Sequence, residues 1–117
     1  MNRNMTIQEH LQEINNYISS DYQFDNVDII LERTKVLLTY QAKMPGLISL
    51  AQKEKSNCEL RNITEKPSIR KILCADESNL LEEVKNMQKA LSQASRTTQS
   101  QLATLRTELE ANIKSRS

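Results

Sequence analysis

LLEEVKNMQKALSQASRTTQSQLATLRTELEANI, residues 80–113, is the stretch that decides how this chain is read. Leu80, Val84, Met87, Leu91, Ala94, Thr98, Leu102, Leu105, Leu109 and Ile113 recur at intervals of three or four. The intervals average about 3.67 residues, the spacing of one face of an α-helix. A strict seven-residue repeat averages 3.5 and imposes a left-handed supercoil, so this spacing predicts a long, nearly straight helix. Ala94 and Thr98 give the stripe a thin middle. No proline or glycine follows Ser68.

Upstream, Ile69 and Leu73 begin the same stripe, and Asp76 or Ser78 is a candidate for a fresh helix cap. Pro67 suits the first turn of a helix, where its missing N–H costs nothing. Residues 62–67 therefore read as the turn between two long arms. The first arm spans about residues 26–60, with Asp25 as candidate N-cap and Asp28 favourably placed in the first turn. It carries two apolar faces. Val27, Ile30, Leu31, Thr34, Leu37 and Leu38 form one; Ile29, Val36 and Tyr40 form the other. A helix that apolar is expected to be covered from two sides. Met44-Pro45-Gly46 interrupts it, but Leu47, Leu50, Ala51 and Cys58 continue in phase. A kinked helix is favoured over a loop at Pro45.

Near the N-terminus, Thr6-Ile7-Gln8-Glu9 reads as a capping box. Ile7, Leu11, Ile14 and Ile18 follow on one face, giving a short helix over residues 7–19 that Ser19-Ser20-Asp21 ends. A short turn makes neighbouring helices antiparallel. The expected fold is one all-α domain: an elongated antiparallel hairpin with arms at about 26–60 and 68–114, bundle or coiled-coil-like. Each arm is about 50 Å or longer. The short N-terminal helix lies beside the first arm.

Composition removes several function classes. Leu, Ile, Val and Phe make up about 24% of the 117 residues and the formal charge is +1, values of a folded chain. One glycine cannot build a phosphate-cradling loop or a dinucleotide fingerprint. No apolar run approaches the ~20 residues of a membrane span, and the first residues lack a secretory signal. The expectation is a cytoplasmic protein with no membrane partner and no cofactor. In that compartment the two sequons, Asn4-Met5-Thr6 and Asn62-Ile63-Thr64, carry no meaning.

Among candidate chemical groups, His10 has no oriented partner in the sequence and reads as a boundary histidine. Cys58 and Cys74 stand eight residues either side of position 66, so a hairpin brings them level. Packed free thiols, a disulfide, or half of a metal site completed by Glu54, Glu59 or Asp76 all remain open. Glu82, Glu83, Glu108 and Glu110 read as solvent-facing carboxylates. Charge is unevenly spread: residues 1–60 carry −2 and residues 61–117 carry +3. From Val84 to Thr107 there is no acid, while Lys85, Lys89, Arg96 and Arg106 are present. Lys85, Lys89 and Arg96 share a face about 160° from the apolar stripe. They are candidate nucleic-acid contacts or a plain solvated face.

Tyr40-Gln-Ala-Lys-Met-Pro45, Leu50-Ala51-Gln-Lys-Glu54, Leu102-Ala-Thr-Leu-Arg-Thr107 and Lys114 resemble the pattern of small all-helical early-region proteins of tailed phages and prophages. The likeness spans residues 30–114. An asparagine and a histidine of that pattern are missing, with Gln88 and Thr98 near their places. The resemblance implies a bacterial host cytoplasm and a genetic neighbourhood of recombination genes, and supplies no catalytic residue.

The functional expectation is a non-enzymatic protein that binds a protein partner. The alternative is a nucleic-acid-binding accessory protein using the basic face. A homodimer is also expected, because one arm and a short helix leave the second arm partly bare. Leu80, Val84, Met87, Leu91, Leu102, Leu105 and Leu109 are its candidate interface.

Overall fold

The computed structural model describes residues 5–116 and, among them, contains only helices. In order they are α1 (Ile7–Ser19), α2 (Val27–Arg61), α3 (Pro67–Leu73) and α4 (Ala75–Arg116). The molecule measures 77 × 36 × 20 Å. α2 and α4 pack against each other as the two arms, and α1 lies against both. The elongated all-α hairpin with a short N-terminal helix is therefore the fold.

Each helix start follows from its cap. Thr6 Oγ1 accepts from the Glu9 N–H at 3.1 Å and opens α1. α2 is capped by Asn26, one residue after the expected Asp25. The Asn26 Oδ1 accepts from the N–H groups of Asp28 and Ile29 at 3.0 and 3.3 Å. Both residue types cap well; position decides, because the oxygen must reach the N–H groups two and three residues on. Asp28 does sit in the first turn. α2 runs on through Pro45 and Gly46 as one helix. Both residues are exposed, so the proline ring faces solvent.

The second arm is divided. α3 begins at Pro67 as expected, but the chain breaks at Cys74, where φ is −106° and ψ 18°. That is two to four residues before the anticipated cap at Asp76 or Ser78. Asp76 and Glu77 instead occupy the first turn of α4, where carboxylates oppose the helix dipole favourably.

α1 meets the middle of the hairpin. Ile7, Leu11 and Ile14 join Leu37, Met44, Leu47, Ala51, Leu80, Leu81, Val84 and Leu91 in one core. Among the buried positions, two runs keep a seven-residue spacing: Ile30, Leu37, Met44, Ala51 and Cys58 on α2, and Val84, Leu91, Thr98 and Leu105 on α4. The expected average of about 3.67 arose from counting Leu109 and Ile113 in the stripe, and both are exposed. The two-sided cover expected for α2 is also corrected. One seam is buried, and Leu31, Leu38 and Leu50 remain outside. Three helices suffice to cover only one side of each arm. No helix among the described residues is long and apolar enough to cross a membrane.

Candidate functional site

The end of the hairpin is built by three devices that act on residues 58–74. Cys58 and Cys74 are joined in a disulfide, with Cα atoms 5.9 Å apart. Both are buried, and neither belongs to the core cluster that α1 joins. The Asn62 side chain lies over it, donating to the Cys58 carbonyl at 2.8 Å with its Nδ2 3.6 Å from Cys58 Sγ. The Arg70 guanidinium closes the turn. Its Nε donates to the Asn62 carbonyl at 3.3 Å, and its Nη2 to the carbonyls of Ile63 and Glu65, each at 3.1 Å.

What this frame presents is apolar. Leu60, Ile63, Ile69, Ile72 and Leu73 are between 41% and 75% exposed, and α3 buries none of its residues. Among the described residues, five of the twelve large hydrophobic side chains that stand exposed fall within positions 60–73. Arg61, Lys66 and Lys71 are exposed among them. The second concentration lies at the opposite end. Every described side chain from Arg106 to Ser115 is exposed, including Leu109 at 50% and Ile113 at 68%. The last turns of α4 thus continue the Leu105 stripe with its side chains exposed. Phe24, 63% exposed, stands beside the same part of α4 and borders a groove of about 520 Å³ with Arg96, Gln101, Leu105 and Glu108.

The expected interface residues are mostly used within one chain. Leu80, Val84, Leu91 and Leu105 are at most 9% exposed. Met87 and Leu102 are half-buried, leaving Leu109 free. α1 covers the arm over residues 80–91 more completely than its short length suggests. Of the seven, only Leu109 stands exposed, at 50%.

Lys85, Lys89, Arg96 and Arg106 are all exposed. A shallow groove of about 420 Å³ runs past Gln88, Lys89, Ser92, Gln93 and Arg96. Lys85 and Arg106 lie outside it. His10 is half-buried, Glu82, Glu83, Glu108 and Glu110 are exposed, and no cluster of three metal-ligating residues occurs among the described residues. Asn62 of the second sequon holds the turn; Asn4 of the first lies outside the described residues.

One cluster escaped the sequence reading. Arg33 is only 5% exposed and has no carboxylate partner among the described residues. Its Nη1 donates to the Tyr17 carbonyl at 3.4 Å and its Nη2 to the Ile18 carbonyl at 3.1 Å. These are carbonyls at the C-terminus of α1, where a cation meets the helix dipole favourably; that of Tyr17 also accepts from the Ser20 N–H at 3.2 Å and the Ser20 hydroxyl at 2.6 Å. The guanidinium carbon sits 3.9 Å from the Tyr22 ring centre and 5.1 Å from that of Tyr17. Tyr22 in turn donates to Gln101 Oε1 at 2.6 Å. The set fastens α1 to both arms, and its Nε has no partner. The available signal was spacing: Arg33 falls three residues after Ile30, inside the buried seam. Beside it, Tyr40 packs edge-on against Tyr17 with ring centres 5.7 Å apart. Burial first, then the nearby Glu13 and Tyr17, raise the Tyr40 hydroxyl above its ordinary pKa.

No family model matches the chain, no curated protein matches it, and no solved structure matches it.

Proposed function

We propose that this protein is a non-catalytic binding protein that works through the two ends of its rod. The free end of α4 pairs with a second copy, and the hairpin tip meets a further partner. The observation that carries this reading is the clustering of exposed aliphatic side chains at the ends; between them Leu31, Leu38 and Leu50 stand exposed singly along α2. Leu109 and Ile113 supply the pairing stripe beyond the buried Leu105, and a two-fold pair is the commonest closed assembly. A cytoplasmic location and a phage or prophage origin belong to the same reading. In a reducing cytosol the Cys58–Cys74 disulfide would form only on oxidation.

Sedimentation equilibrium at micromolar concentration tests the pairing. The wild-type chain is expected at twice its 13.5 kDa mass. Leu109→Ser with Ile113→Ser should move it toward monomer with helicity intact, because both side chains are exposed. A monomeric wild type refutes the pairing.

The second reading, nucleic-acid binding, is favoured by one observation: Lys85, Lys89 and Arg96 are all exposed along an acid-free stretch of α4. Its test is fluorescence anisotropy with single- and double-stranded DNA at low salt. Binding should fall, and lose salt sensitivity, when the three are changed to Glu.

A further inference from the structure

The hairpin tip combines features that a turn reversing the chain does not need. Leu60, Ile63, Ile69, Ile72 and Leu73 are exposed on it, with Ile72 the most exposed at 75%. Residues 60–73 contain four cations and a single acid, Glu65, for a formal charge of +3. None of the five aliphatic residues lines any of the grooves described above. They crown the end of a 77 Å rod and form a projection instead of a cleft.

The backbone beneath them is also unusual for a surface turn. Water ordinarily satisfies the carbonyls of a turn, but here protein groups take those of Leu60, Asn62, Ile63 and Glu65. The N–H of Asn62 reaches the carbonyls of Cys58 and Glu59, and that of Ile63 reaches Leu60. The carbonyls of Asn62, Ile63 and Glu65 are taken by Arg70. A segment that enters an apolar medium must satisfy its backbone polar groups internally, since nothing outside will. The charge of Arg70 is spread over three acceptors in the same act. The disulfide holds the frame, so little ordering remains to be done on docking.

We propose that the tip docks on an anionic membrane surface, with its aliphatic side chains entering the interface and Arg61, Lys66 and Lys71 meeting lipid phosphates. This rests on the reading of the tip as a binding end, names its partner, and replaces the expectation of no membrane partner, which rested on the lack of a spanning segment that surface docking does not need. A projecting apolar crown suits a deformable surface better than a preformed protein pocket, which would have to match five side chains. The cations suit the negative potential of phosphatidylserine-type lipids, each adding attraction that salt weakens. The insertion is shallow, because the tip carries no segment long enough to span.

Flotation of the oxidised, full-length protein with phospholipid vesicles tests the proposal. Vesicles of phosphatidylcholine with about 30% phosphatidylserine should bind at least about tenfold more tightly than phosphatidylcholine alone, and less so as salt rises. Ile63→Ser with Ile72→Ser should weaken that binding at least about tenfold. Lys66→Glu with Lys71→Glu should weaken it and flatten the salt dependence. All four side chains are exposed, so circular dichroism and sedimentation mass should not change. No binding of wild type to the anionic vesicles at low salt overturns the proposal, as does binding that the isoleucine pair leaves intact. If the tip instead occupies a protein, vesicles fail and the dimer persists. That outcome removes the membrane and leaves the pairing reading standing, whereas a monomeric wild type removes the pairing alone.

Discussion

Reducing the Cys58–Cys74 disulfide should cost the protein much of its thermal stability and release α3 in particular. The bridge links residues 16 apart in sequence. Closing a loop of that length in the unfolded chain is worth about 3 kcal/mol in the chain-entropy account. Unfolding entropy of about 2.1 cal/mol/K per residue gives roughly 0.25 kcal/mol/K for this chain, so Tm should fall by about 12 °C. The loss should not be uniform. α3 buries no residue of its own and lies within the closed span, whereas the three-helix section is held by Leu37, Met44, Val84 and Leu91, all sealed from solvent. A helix of seven residues does not persist in water unaided. Far-ultraviolet circular dichroism during heating, with and without reductant, measures the first effect. Amide hydrogen exchange measures the second, with the α3 amides losing protection first. Cys58→Ala with Cys74→Ala should reproduce the reduced state without reductant. Equal Tm values for oxidised and reduced protein would refute the entropic argument. Persistent protection of α3 after reduction would show that Arg70 alone holds the tip.

Arg33→Met should destabilise the fold by about 2 kcal/mol in urea, since it removes two charged hydrogen bonds and the stacking on Tyr22. Equal or greater stability would mean that desolvating the unpaired guanidinium outweighs those contacts. Gly46→Ala should stabilise by about 0.5–1 kcal/mol, because a Cβ there meets nothing within 4 Å and the glycine sits inside a helix; a loss of stability would show that α2 needs a hinge at Pro45. The folded state holds the Tyr40 proton more tightly than the unfolded chain, whose value is near 10.0. Its stabilising contribution is therefore present below pH 10 and lost as pH rises through the folded pKa. Between about pH 9 and about pH 11 the wild type should lose more Tm than Tyr40→Phe; equal losses refute the assignment.

The arms were legible because burial against one neighbour leaves a periodic imprint, and because Pro67 and the turn before it punctuate the pattern. The levelling of Cys58 and Cys74 followed from counting outward from that turn. Other features depend on a neighbour that counting does not supply. Asp25 and Asn26 are equally good caps, and the choice rests on which oxygen reaches back into the first turn. Leu31 and Leu38 look like core from their spacing beside Ile30 and Leu37, yet a third helix covers one side of α2 only. Arg33 looks like an interruption of an apolar seam. It becomes intelligible only when the C-terminus of α1 brings the Tyr17 and Ile18 carbonyls to it.

The tip was the least legible region for a related reason. Ile69 and Leu73 continue the periodicity of the long arm, so they read as the beginning of its buried stripe. The break at Cys74 separates them from that stripe, and Ile69 and Leu73 stay 41% and 51% exposed. Pattern alone cannot distinguish an apolar residue that packs from one that is merely in phase with those that do. The geometry separates them: the disulfide stands outside the core that α1 joins, and the aliphatic residues beyond it stay exposed. Their exposure cannot be ascribed to a shortage of polar alternatives, since turns ordinarily carry polar residues at little cost. Nor does the fold require them, because the carbonyls of the turn are held by Arg70 and its ends by the cysteines. A turn so thoroughly secured, yet so apolar outside, has its stability supplied by one set of residues and its surface by another. The surface set is therefore the one through which an interaction at this end is most sharply tested.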